Sequence, residues 1–166
     1  LVGTSAFAGS PFDGTWVAKL DAGSLDKKPW VIRLNEGVWT SDRNAPPITV
    51  KADGTDQPSP GRPVQDTFAL KVLGPDSVQG IRKNAGKVVF TRTLTVAADG
   101  KSMLDEWTDL YGAAAATGET VYERLAPGPA GAHAVSGSWK AVTERNLSSN
   151  GTTATYKAIP DGMSLS

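Results

Sequence analysis

The sequence predicts an all-β protein: an antiparallel meander that closes into an eight- to nine-stranded barrel, followed by the first strands of a second repeat. Three observations predict it. Apolar and polar residues alternate with period two in several stretches, as strands with one buried face require. Short turn signals separate those stretches. Runs of helix-forming residues at helical spacing are missing.

Strands are expected near residues 14–20, 29–35, 38–42, 47–52, 66–73, 77–83, 87–97, 101–110 and 117–125. The alternation is plainest where Phe68, Leu70 and Val72 interleave with Thr67, Ala69 and Lys71, and where Val88, Phe90, Leu94 and Val96 interleave with Val89, Thr91, Thr93 and Thr95. Between strands lie Glu36-Gly37, Asp53-Gly54, Gly74-Pro75-Asp76, Asn84-Ala85-Gly86 and Asp99-Gly100. Asp-Gly suits tight hairpins because both residues tolerate positive φ. Ala113 to Ala116, flanked by Gly112 and Gly118, reads as a loop, and Asn150-Gly151 as a hairpin turn. Closing such a sheet on itself removes its exposed edges.

An internal repeat organises the chain. Gly14-Thr15-Trp16-Val17-Ala18 matches Gly137-Ser138-Trp139-Lys140-Ala141, 123 residues later. Trp30-Val31-Ile32-Arg33-Leu34 matches Thr153-Ala154-Thr155-Tyr156-Lys157 at the same spacing, and Asn35 to Ser41 aligns with Pro160 to Ser166 after a two-residue shift. Ala126-Pro127-Gly128-Pro129-Ala130-Gly131-Ala132 between the copies has a linker's composition. The expected division is therefore a signal-peptide remnant at 1–9, a barrel at 10–125, a linker at 126–134 and an incomplete second repeat at 135–166. Since a short isolated sheet is marginal in water, either the chain is expected to continue past Ser166, which leaves 135–166 the least well-ordered part, or this tail packs on the barrel; the first is favoured. The remnant reading rests on Ala6-Phe7-Ala8, which fits the small-x-small rule for signal-peptidase cleavage.

Composition narrows the functional classes. Lys plus Arg and Asp plus Glu both number 17, so no net field favours nucleic acid or an anionic membrane. No stretch approaches the roughly 20 apolar residues of a membrane-spanning helix. With no cysteine and one histidine, His133, disulfides, thiolate metal sites and cysteine nucleophiles are excluded, and no metal or other cofactor is expected. His133 lies in the linker, where a solvated spacer role is expected. Asp53, Asp56 and Asp99 sit beside or near glycines without EF-hand spacing and read as turn residues.

Trp16 in Gly14-Thr15-Trp16, with a long meander after it, resembles the lipocalin-like (calycin) barrels. More of the chain resembles a bacterial exported family of unknown function with two lipocalin-like repeats. The resemblance is carried by Phe12-Asp13-Gly14-Thr15-Trp16, Val50-Lys51-Ala52-Asp53-Gly54, Thr95-Val96-Ala97-Ala98-Asp99-Gly100-Lys101, and Pro129 to Trp139. It implies the fold and export to the periplasm or beyond, but no reaction. In that family a cysteine pair often precedes the Pro-Pro. Asp42 to Ala45, before Pro46-Pro47, holds none, so no disulfide or metal role carries over. In such barrels the first Trp closes one end under a basic residue of the last strand. That implies Trp16 covered by Arg124, a cation–π contact worth about 0.5–2 kcal/mol.

Arg92 is the leading site candidate. It shares parity with Phe90, Leu94 and Val96, so regular alternation points it into the core, where an unpaired charge costs several kcal/mol. Asp105, Trp107 and Asp109 share one face of the next strand. Three readings stand side by side: an Arg92–Asp105 pair that holds a ligand's polar head, a bulge that turns Arg92 outward, and a satisfied internal salt bridge. The expected function is an exported binding module for a small apolar or amphipathic molecule. The alternative is a structural or interaction protein of the cell envelope, favoured by Trp39, whose parity opposes that of Trp30 and points it outward. A carboxylate-based enzyme using Asp105, Glu106 and Asp109 is a third option.

Overall fold

A computed structural model describes residues 13–17, 25–43, 46–159 and 162–165, those beyond Thr152 by their backbone. The expected leader segment at 1–9 lies outside the described residues. Ten strands form one antiparallel sheet: β2 (Trp30–Asn35), β3 (Val38–Ser41), β4 (Ile48–Lys51), β5 (Gln57–Pro58), β6 (Thr67–Val72), β7 (Ser77–Asn84), β8 (Lys87–Val96), β9 (Ser102–Asp109), β10 (Ala116–Pro127) and β11 (Gly137–Arg145). Their order is β4-β3-β2-β11-β10-β9-β8-β7-β6-β5. A separate three-stranded sheet joins β1 (Gly14–Val17) to β12 (Thr153–Ile159) and β13 (Gly162–Leu165). Between β11 and β12, Ser149–Thr152 makes a single helical turn, α1. Asn150-Gly151, expected as a hairpin turn, lies within it. The cause is tethering to β10, where Ser148 N–H donates to Thr117 O at 2.9 Å and Asn150 Nδ2 to Ala115 O at 3.2 Å. Among the described residues no helix is long and apolar enough to cross a membrane.

The ten-stranded sheet curls until its ends meet, giving a nearly closed barrel. The chain just after β4 reaches β6, where Asp53 and Lys71 form a bridge and Gly54 N–H donates to Leu70 O at 2.7 Å. Alternate residues of the strands fill the interior, including Ile32, Leu70, Val78, Leu94, Met103 and Tyr122, all fully or almost fully buried.

Two expectations are corrected here. Trp39 is inside the barrel, not outside. Glu36-Gly37 forms a two-residue turn with φ of 51° and 74°, which pairs Asn35 with Val38 and Leu34 with Trp39. Even-numbered β2 residues thus face odd-numbered β3 residues, so Trp39 joins Trp30, Ile32 and Leu34 on one face. Nor is 135–166 a poorly packed tail throughout. Val135, Ser136 and Trp139 are almost completely buried, because β11 occupies the position between β2 and β10.

The presumed linker belongs to the barrel as well. β10 continues to Pro127, and the chain then crosses the barrel end to reach β11. Ser136 Oγ accepts from Leu34 N–H at 2.9 Å, and His133 N–H donates to Leu34 O at 3.0 Å. His133, expected as a solvated spacer, is half-buried, and its Nε2 donates to Gly74 O at 2.7 Å. That loop plugs one end of the barrel.

Candidate functional site

The plugged end is a satisfied structure. Arg124 stands opposite Trp139 in the β10–β11 ladder, its guanidinium carbon 4.0 Å from the ring centroid. The same guanidinium donates to Gly100 O at 2.5 Å, Ser136 O at 2.6 Å and Ala134 O at 2.7 Å. Trp139 Nε1 donates to Val135 O at 2.9 Å. The tryptophan under Arg124 is therefore Trp139, whereas Trp16 pairs with Ala154 in the small sheet and is 53% exposed. Burial lowers the Arg124 pKa from its ordinary value.

A second arginine cluster lies inside the barrel and is organised differently. Ladder register sets it up: Gly80 opposes Arg92, Arg82 opposes Phe90, Leu94 opposes Asp105 and Arg92 opposes Trp107. Arg92 thus keeps its inward parity. The register shift in the β7–β8 hairpin falls between Arg82 and Lys83, nearer the turn, and does not rotate it. Arg92 Nη2 sits 2.8 Å from Asp105 Oδ2, with side-chain exposures of 15% and 1%. Of the three readings of Arg92, outward rotation is excluded.

Aromatic rings frame the cations. The Arg92 guanidinium carbon is 4.9 Å from the Trp30 centroid and 5.2 Å from that of Phe90. Arg82 lies 4.6 Å from Phe90, and Arg43 lies 5.0 Å from Trp30 and 5.6 Å from Tyr122. Arg43 also donates to the Tyr122 hydroxyl. Trp30 Nε1 donates to Ser41 Oγ at 2.7 Å, which fixes the ring on which two of the arginines rest.

Three guanidiniums therefore act on one buried carboxylate. Burial pushes the Asp105 carboxyl above the ordinary carboxylate value, opposed by the positive charges of Arg92, Arg43 and Arg82. Burial lowers the Arg82 pKa, and the like charge of Arg92 adds to it, while Tyr111 beside it partly offsets both. Burial raises the Tyr122 phenol. Among the described residues, Arg62 Nε elsewhere and, in this cluster, Arg82 Nε, Arg92 Nε and both Asp105 oxygens are buried without a hydrogen-bond partner, Oδ2 meeting Arg92 only as an ion pair. Unmet buried donors cost about 1–3 kcal/mol each, so the cluster carries spare recognition capacity. The cavity beside it, lined by Trp30, Ser41, Arg43, Arg82 and Arg92 among others, is only about 20 Å³, close to the space one water needs.

Of the four candidate site residues, Arg92 and Asp105 come together. Trp107 shares their face, but its Nε1 donates to Thr120 Oγ1 at 3.3 Å, and its ring packs against Gly118, where an added Cβ would sit 2.5 Å from it. Asp109 serves the chain reversal, accepting from Tyr111 N–H at 2.9 Å. Glu106, on the opposite parity, is exposed. Arg43, Arg82, Trp30 and Tyr122 had not been singled out as site residues. Arg82 carried a signal, since it shares parity with Val78 and Gly80. Arg43 carried none, because it lies past the end of β3, where period-two parity no longer applies. Among the described residues no cluster of His, Asp and Glu could hold a metal ion. No protein-family model matches the chain, nor does any curated protein or solved structure in the comparisons made.

Proposed function

We propose that this barrel is an exported binding module for a small amphipathic molecule with an anionic head. The head would dock on Arg43, Arg82 and Arg92, and the apolar part would rest at the adjoining rim, where Leu110 and Tyr111 are exposed. The carrying observation is the imbalance of charge: the charges of three arginines act on the single carboxylate of Asp105, of which Arg92 pairs with it at 2.8 Å, and two Nε donors are unmet. Charge-assisted hydrogen bonds to a carboxylate or phosphate-type head are the strong kind, and arginine's planar fork suits both. The cavity of about 20 Å³ accommodates a head group only after side chains move, and no tail. The rim reading follows from that limit. Export is supported by Ala6-Phe7-Ala8, and a tandem lipocalin-type organisation by the repeated Gly-x-Trp segments.

Thermal-shift titration with decanoate, decyl phosphate and decanol tests the reading. The two anions are expected to raise Tm and decanol is not, and Arg82→Gln is expected to weaken the anion response about tenfold, the loss of one charged hydrogen bond of roughly 1.5 kcal/mol. Equal response to all three, or none to any, overturns it. The tightly filled interior favours one second reading, a structural or interaction protein of the envelope, for which no titrant would shift Tm.

A further inference from the structure

The two Gly-x-Trp strands are paired in the same way with different partners. In the barrel, Gly137 opposes Ile32, Ser138 opposes Val31 and Trp139 opposes Trp30. In the small sheet, Gly14 opposes Tyr156, Thr15 opposes Thr155 and Trp16 opposes Ala154. Ile32 and Tyr156, Val31 and Thr155, and Trp30 and Ala154 are each 124 residues apart. The following hairpins agree at that spacing, since Asn35 opposes Val38 and Ile159 opposes Gly162. The small sheet is thus laid out as β11-β2-β3 is, with the two Gly-x-Trp strands exchanged between copies.

Backbone conformation carries the same signature. Gly137 has φ of +148° and Gly14 has φ of +142°, values that L side chains rarely adopt. At Gly137 the glycine is required twice over, because an added Cβ would stand 2.6 Å from Ala126 O and 2.8 Å from Arg124 Nη1. At Gly14 an added Cβ would meet nothing within 4 Å among the described residues. β1 carries the glycine that the barrel position demands, in the conformation it demands, at a place that does not crowd it. The flanking residues also correspond. Phe12 precedes Gly14 where the fully buried Val135 precedes Gly137, and Asp13 offers an acceptor where Ser136 Oγ accepts from Leu34 N–H.

We propose that the groove between β2 and β10 is a binding site for an extended Gly-x-Trp strand, and that β1 of the same chain is its second ligand. In the exchanged form β1 lies between β2 and β10 with Trp16 under Arg124, and β11 is released from that groove. The connection allows it: residues 18–29 join β1 to β2, and antiparallel neighbours need only a short loop.

Cysteine crosslinking of the full chain tests this, and the native sequence holds no cysteine to interfere. Registered antiparallel neighbours have Cα atoms within disulfide range. V31C/S138C reports the barrel as described, T15C/T155C the small sheet, and T15C/V31C the exchanged form. Under oxidation the first two are expected to crosslink readily. The third is expected to form an intramolecular disulfide at least about tenfold more slowly, as suits a minor conformer. Adding Trp139→Ala to T15C/V31C is expected to speed its crosslinking, because β11 then holds the groove less tightly, while leaving T15C/T155C no faster. A T15C/V31C chain that stays reduced as a monomer, or links only between molecules, overturns the proposal.

Discussion

β1 and β11 begin with nearly the same residues and end in different surroundings. Trp139 is fully buried and Trp16 is 53% exposed. The local sequence specifies an extended strand in both cases. What separates them is length of pairing. β11 runs for nine residues and lies against β10 from Glu119–Arg145 to Pro127–Gly137, whereas the four described residues of β1 pair with β12 alone. Residues 128–136 also deliver β11 to the groove with the plug already attached. The comparison teaches that a motif reports what kind of position it fits, while the contacts of the rest of its strand accompany where it lies.

The contrast breaks most directly at the tryptophans. Trp139→Ala is expected to cost about 3–5 kcal/mol in chemical denaturation, as for a large buried aromatic. Trp16→Ala is expected to cost about 1 kcal/mol, because half of its surface is already in water. Similar losses would mean that the two strands contribute equally to the barrel.

Alanine at the two glycines separates backbone conformation from crowding. Both substitutions incur about 1–3 kcal/mol for the unusual φ. Gly137→Ala adds a clash with Ala126 O and Arg124, so its midpoint in urea should fall clearly below that of Gly14→Ala. Matching midpoints would show that the Gly137 surroundings give way freely.

Arg124→Met keeps apolar cover over Trp139 but leaves the carbonyls of Gly100, Ser136 and Ala134 without that donor. A loss of about 2–3 kcal/mol is expected. Arg82→Met, where the guanidinium has a buried unpartnered Nε and a like charge beside it, should cost less or even stabilise. A larger loss at Arg82 would assign the inner cluster a structural role and weaken the binding proposal.

The smallest effect expected is the pH dependence of Asp105. Because burial holds its carboxyl above the ordinary value of 3.8, the folded chain binds more protons than the unfolded one just above that pH. Its contribution to stability is therefore fully present below the unfolded value and is lost as pH rises through the raised one. Asp53 and Glu119, whose carboxyls are lowered chiefly by side-chain hydrogen bonds to Thr55 and Asn146 respectively, slope the other way. The measurement is accordingly the difference between wild type and Asp105→Asn in urea midpoints from pH 3 upward. A difference that grows in favour of wild type with rising pH would show that the arginines, not burial, dominate at Asp105.

Much of the barrel was legible in the sequence. The nine expected strands correspond to β1 to β4 and β6 to β10, with only the two-residue β5 unanticipated. Period-two alternation reports burial on one face; it did so correctly for Phe68, Leu70, Leu94 and Val96, but not for Val72 and Val88 at strand ends, which are exposed, nor for Ala69, which is buried. The method failed at Trp39 because parity inverts across a two-residue turn, and inversion depends on hairpin register. Within the candidate site, parity on adjacent strands made an Arg92–Asp105 pair one of the open readings, and the structure shows the two in contact. Arg43 did not, since its approach to Trp30 depends on where the chain goes after β3.

The sequence by itself determined the fold class, the approximate positions of most strands and the existence of two Gly-x-Trp segments. Those properties depend on local backbone preference and on the period of the apolar pattern. Tertiary structure alone decided that Trp139 rather than Trp16 sits under Arg124, that residues 128–136 plug the barrel end, and that Arg43, Arg82 and Arg92 line one cavity. Each of these depends on contacts between segments distant in sequence, where several partners satisfy the same local pattern and the longest, best-packed pairing prevails.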